Sequence, residues 1–187
     1  MVTLAMHMID IVQNAIRAQA GVITIGLEEQ GRASALLFRV KDDGTGMDRQ
    51  SRERVSDSFF TTRTTRRVGL GIPLLKMTCE QTGGSFRVQS AEGSGTTIEA
   101  LYRTDHPDCL PLGDLAGSLV MLVKANPEIR FCFSYRIDAT EFRFDTGELA
   151  EQGIDLQHPQ MLTPVKTYIR ENLEQLWQQR APASYLC

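Results

Sequence analysis

The stretch ALLFRVKDDGTGM, residues 35–47, decides how the chain folds. Residues 35–44 read as a strand that runs into a glycine-rich loop, Asp42-Asp43-Gly44-Thr45-Gly46, with Met47 following. Glycine at two alternate positions permits a tight backbone path and the close approach of a flat ligand. A carboxylate at a strand end can accept a hydrogen bond from an exocyclic amine. Asp-Gly is also a common turn signal, so taken alone the pattern fits a plain turn as well.

Upstream of this stretch, VITIGLEE (22–29) reads as a strand from its β-branched alternation, and EQGRAS as a hairpin-like turn. Residues 3–19 read as a helix with Gly21 as its stop. His7, Asp10, Asn14 and Arg17 are spaced by three or four, which gathers them within about 80° of arc. Ile9, Val12 and Ile16 take the opposite side. Such a stripe fits a solvated helix face. It also carries the groups that a hydrated hard cation needs: an amide oxygen as a neutral ligand, and a carboxylate one turn away to orient water.

Downstream, residues 48–59 read as a short helix and FFTTRTTRRVGLG (59–71) as a loop without clear period. Arg63, Arg66 and Arg67 can neutralise a polyphosphate there, or be solvated. Pro73 suits the first turn of a helix that runs to Gly83-Gly84. Gly69-Leu70-Gly71 stands at its start, and helix N-termini attract phosphates. SFRVQSAEG and GTTIEALYR then form a hairpin around Gly93-Ser94-Gly95. The Walker pattern GxxxxGK[ST] is absent, and no GxGxxG joins a strand to a helix.

The order of these elements resembles the GHKL superfamily of ATP-binding proteins: DxxxN on a helix, DxGxG after a strand, FFTT, GLG opening a helix, and GxGT in a hairpin. That group includes histidine kinases, gyrase subunits, MutL-type repair proteins and anti-sigma-factor kinases. The resemblance covers residues 3–103. It implies a Bergerat-type α/β sandwich, a mixed sheet with helices on one face, that binds ATP with magnesium. By that resemblance Asn14 is the magnesium ligand, and Asp10 the acidic residue that activates the attacking water, where the ATPase branch has Glu. Asp42 reads adenine, Gly44 and Gly46 shape the pocket, Met47 lines it, and Thr96 lies near the base. Phe59-Phe60-Thr61-Thr62 resembles the F-box of histidine kinases, and Gly69 and Gly71 the glycine box that meets the phosphates. Thr61, Thr62, Arg63 and Leu70 are expected to bind the nucleotide with them, and Arg17, one turn beyond Asn14, to face phosphate.

The 187 residues suit one domain with an appendage, and 42% hydrophobic content supports a core without disulfide or metal staples. Prolines and glycines cluster at 105–114, which places a boundary between an ATP-binding domain at 1–104 and a small α+β extension at 105–187. In the extension, LAGSLVMLVKAN reads as a helix, IRFCFSYRID and TEFRFDT as a half-buried hairpin, and 164–179 as an amphipathic helix. The extension is expected to read the nucleotide state to a protein partner or to form a homodimer. A formal net charge of -3 speaks against nucleic acid as that partner. Four scattered cysteines without a CxxC pair, and the lack of a signal peptide or an apolar run of membrane length, point to a cytoplasmic protein. Three functions stand open: a nucleotide-dependent regulator in signal transduction with weak ATPase activity, a kinase for a separate protein substrate like the anti-sigma-factor kinases, and a non-enzymatic ATP-binding module.

Overall fold

A computed structural model of the chain describes residues 2–54 and 70–180. The first helix, α1 (Leu4–Arg17), starts where the Thr3 side chain accepts the Met6 N–H at 3.2 Å. It stops two residues earlier than its pattern predicts. The left-handed residue that follows is Gln19, φ 59°, rather than Gly21. The Ala18 carbonyl that would continue the helix instead accepts the Thr45 N–H at 2.8 Å.

Strands β1 (Val22–Gln30) and β2 (Ala35–Asp42) form an antiparallel hairpin. After a short helix α2 (Arg49–Arg54) and the helix α3 (Gly71–Gln81), β3 (Ser85–Ser90) and β4 (Thr96–Arg103) form the second hairpin, as the glycine spacing predicts. Helix α4 (Leu115–Ala125) then leads to β5 (Arg130–Ile137), β6 (Thr140–Asp145), α5 (Thr146–Glu151) and α6 (Leu162–Trp177). The strands make one mixed sheet in the order β3-β4-β2-β1-β5-β6, in which only β5 runs parallel to its neighbour β1. Residues 130–145 therefore add two strands to the sheet that the first hundred residues begin.

Period-two patterning buries one face of this sheet and leaves the other polar. Ile25, Val40, Ile98 and Phe133 are all essentially inaccessible and lie in register across four strands. Helices α1, α3 and α6 lie against that face, with α4 between α1 and α6. The opposite face presents Thr24, Arg39, Lys41, Glu99 and Arg136, with Arg39 Nε on Glu99 Oε1 at 2.7 Å. This is the α/β sandwich with helices on one face that the motif order implies.

His7 departs from the polar stripe assigned to it. Its relative exposure is 1%, and its Nε2 lies 3.3 Å from Thr78 Oγ1 on α3. Thr78 in turn contacts the Tyr102 hydroxyl at 2.9 Å. Burial pushes the His7 imidazole down to about 4 and keeps it neutral. The 3.6-residue period places His7 beside Asp10, but α3 covers the helix at that level.

Candidate functional site

One end of the sheet gathers the glycine elements. Asp42 closes β2, is 8% exposed, and faces Thr96 across the strand pair. Its carboxylate accepts the Gly44 N–H at 2.9 Å and the Thr96 N–H. Burial raises its pKa above the ordinary aspartate value. The neighbouring Asp43 charge adds to that, and the two N–H bonds oppose it. Asp43 turns the other way, and its Oδ1 accepts the Gly21 and Val22 N–H groups at 2.8 and 2.9 Å. The loop is thereby tied to the start of β1.

Two close approaches explain the glycine spacing. Gly46 has φ 69°, and a Cβ there would stand 2.0 Å from the Ala91 carbonyl oxygen. Gly95 has φ 73°, and its Cβ would stand 2.0 Å from the Asp42 carbonyl oxygen. The loop at 42–46 and the hairpin turn at 91–96 are thus pressed backbone to backbone, with Gly93 N–H on the Thr45 carbonyl at 2.8 Å.

The same loop sits on the end of α1. A Cβ at Gly44 would lie 2.6 Å from the Ala18 carbonyl, the group that accepts from Thr45. Asn14 is one turn before Ala18, half-buried, with Oδ1 accepting from Arg17 Nη1 at 2.8 Å. Asp10 is one turn further back and exposed. A Cβ at Gly71 would meet the Asp10 Cβ at 2.9 Å, so the start of α3 is packed against Asp10. Leu70, just before it, is 40% exposed. Helix α1 therefore touches α3 near Asp10 and the glycine loop at Ala18, with Asn14 and Arg17 between these contacts. Thr61, Thr62, Arg63 and Gly69 lie outside the described residues, as do Phe59, Phe60, Arg66 and Arg67.

Sequence reasoning missed Ser90. Its Oγ accepts the Met47 N–H at 2.9 Å and lies 2.9 Å from both the Gly95 carbonyl and Thr96 Oγ1. The available signal was a polar residue in the alternation Phe86, Val88, Ser90, the side of β3 that faces the core. A cavity of about 510 Å³ lies apart from these residues, between the end of α4, the start of β5 and α5, lined by Val123, Pro127, Arg130 and Ile154 among others. Among the described residues, no three His, Cys, Asp or Glu side chains gather as a metal site, and no helix is long and apolar enough to cross a membrane.

Fold and glycine corner together define an α/β sandwich whose polar site sits at one end of its sheet, under the helices. The chain belongs to the histidine kinase-, DNA gyrase B- and HSP90-like ATPase family, whose model matches residues 2–106. It is similar to the sensor histidine kinase WalK of Bacillus subtilis, 31% identical over 96 residues that make up 48% of this chain and 16% of that kinase. It is similar also to sporulation kinase C of the same organism, 28% identical over 95 residues, 50% of this chain and 22% of that one. The match thus spans less than a quarter of the length of either kinase. Among solved structures, the N-terminal domain of a DNA repair protein shares the fold, with a TM-score of 0.53 and 14% identity over 78% of this chain and 53% of that one.

Proposed function

We propose that the chain binds ATP with magnesium where α1, the glycine loop and the β3–β4 hairpin meet, and acts as a nucleotide-dependent regulator with weak ATP hydrolysis. The observation that carries this reading is the docking of the loop on the Ala18 carbonyl. It holds Asn14 and Asp42 on one frame, as a ligand that spans base and phosphates requires. Asp42 reads the adenine amine, Gly44, Gly46 and Met47 shape the base pocket, and Thr96 lies beside the base. Asn14 would hold the magnesium. An amide oxygen has two acceptor sites, so the bond to Arg17 and a metal ion are compatible. Magnesium, once bound, neutralises charge on the phosphates. Leu70 and Gly71 open α3 and offer N–H groups to phosphate, and Arg17 supplies a cation. Asp10 takes the proton of the attacking water as its oxygen joins the γ-phosphorus and ADP leaves.

The likeness to two kinases favours a second reading, phosphoryl transfer to a separate protein. Positioning and charge neutralisation serve either acceptor. In both readings residues 1–104 bind the nucleotide, and residues 105–187 carry its state to a protein partner or a second copy.

Incubation of the purified chain with γ-labelled ATP and magnesium separates these functions. Slow release of free phosphate supports the regulator. Label on an added partner protein supports the kinase, and saturable binding with neither leaves a binding module. Asp10→Ala should abolish phosphate release and keep nucleotide affinity. Turnover retained in that variant removes Asp10 from the role of base.

A further inference from the structure

A hydroxyl carries one proton and two acceptor sites, and at Ser90 all three have definite partners. The Met47 N–H, at 2.9 Å, fills one acceptor site. The Gly95 carbonyl, also at 2.9 Å, has no proton to give, so it takes the Ser90 proton. The remaining contact, 2.9 Å to Thr96 Oγ1, is then donated by Thr96. Thr96 thereby spends its single proton on Ser90 and has only lone pairs for anything else that approaches it. Its cross-strand partner Asp42 is acceptor-only as well once ionised.

We infer that Ser90 is a specificity-determining positioning residue: it fixes the Thr96 hydroxyl as an acceptor, so that the corner takes adenine nucleotides over guanine nucleotides. The inference rests on the reading of this corner as the nucleotide pocket. Adenine brings an amine donor to two neighbouring acceptors. Guanine brings a carbonyl oxygen to the same place, where it meets acceptors and leaves polar groups unpaired. Without Ser90, the Thr96 hydroxyl is free to rotate and donate, and the guanine carbonyl gains a partner. Ser90 also holds Met47 through its backbone, so the same hydroxyl sets the position of the base-lining side chain.

The test is calorimetric titration of the full chain with magnesium ATP and magnesium GTP, each variant first checked by thermal melting. The parent should prefer ATP. Ser90→Ala should reduce the ATP-to-GTP affinity ratio about five- to tenfold, the scale of one neutral hydrogen bond. Ser90→Thr, which keeps the hydroxyl, should retain the parental ratio. Thr96→Val removes the acceptor while Ser90 keeps its bonds to Met47 and Gly95, so it should lower the same ratio and make Ser90→Ala without further effect on it.

A parent that binds both nucleotides alike overturns the inference. So does an unchanged ratio in Ser90→Ala, including equal weakening of both ligands, or an equal loss in Ser90→Thr. If Ser90→Ala fails to fold, Thr96→Val and Ser90→Thr decide by the same ratio. Asp42→Ala separates the two levels. If it leaves ATP binding intact, the pocket assignment itself fails. If it weakens ATP while Ser90→Ala leaves the ratio alone, only the Ser90 inference falls.

Discussion

The two ends of β1 are built in opposite ways. At Val22 the neighbouring chain is held through bonds to main-chain groups: the Asp43 carboxylate collects the Gly21 and Val22 N–H groups, and the Ala18 carbonyl accepts from Thr45. Gly46 and Gly95 let backbones touch there. At Glu29 the fastening is a buried charge cluster. Arg180 places Nη2 2.7 Å from Glu29 Oε1 and 2.7 Å from the Tyr135 hydroxyl, and the same hydroxyl donates to Glu29. The guanidinium also lies over the Trp177 ring, 5.1 Å from its centroid. The first arrangement leaves acceptors, amides and a helix start near one another for a ligand. The second consumes its polar groups internally and ties the residue just beyond α6 to the sheet.

The largest effect expected from this contrast is at the charged end. Arg180→Ala would leave Glu29 buried without its cation, at a cost of about 3–5 kcal/mol in stability. Urea unfolding measures that loss, and the ATP affinity of the folded variant should match the parent's. A loss of affinity equal to that of pocket variants would erase the distinction between the two ends. A stability change within the range of exposed ion pairs would show that the cluster is not a fastening at all.

A smaller effect belongs to the neutral groups behind α1. His7 has an ordinary imidazole value of 6.5 when unfolded and about 4 when folded. Its stabilising contribution is complete above pH 6.5. As pH falls from 6.5 to 4 the unfolded chain takes up a proton that the folded protein does not, so stability drops by up to about 3 kcal/mol. Chemical unfolding across that range should show the component in the parent and not in His7→Gln. Identical slopes would mean that His7 is not held neutral by its burial.

What was legible in the sequence follows the same division. Gly44, Gly46 and Gly95 could be read because backbone contact leaves a spacing signature in the chain itself. The strands at 22–30 and 35–42 could be read because alternation is local, and so could the hairpin at 130–145. The pairing of β1 with β5 could not, since parallel strands share no turn that announces them. Tyr135 and Arg180 stand 106 and 151 positions from Glu29, and each looks like an ordinary residue in place. His7 was misread for a related reason: helical periodicity gives an angle around α1 and says nothing about which neighbour covers it. Ser90 left only a faint mark, a hydroxyl where the strand pattern calls for an apolar side chain.

The central claim is that Asn14 and Asp42 serve one bound nucleotide and its metal. Calorimetry of the parent and of Asn14→Ala with ATP, in magnesium and in excess chelator, tests it most directly. The account predicts tight binding by the parent that depends on magnesium, and a folded Asn14→Ala in which that dependence is gone and affinity falls to the chelator level. Equal, magnesium-dependent affinity in the two proteins would contradict it.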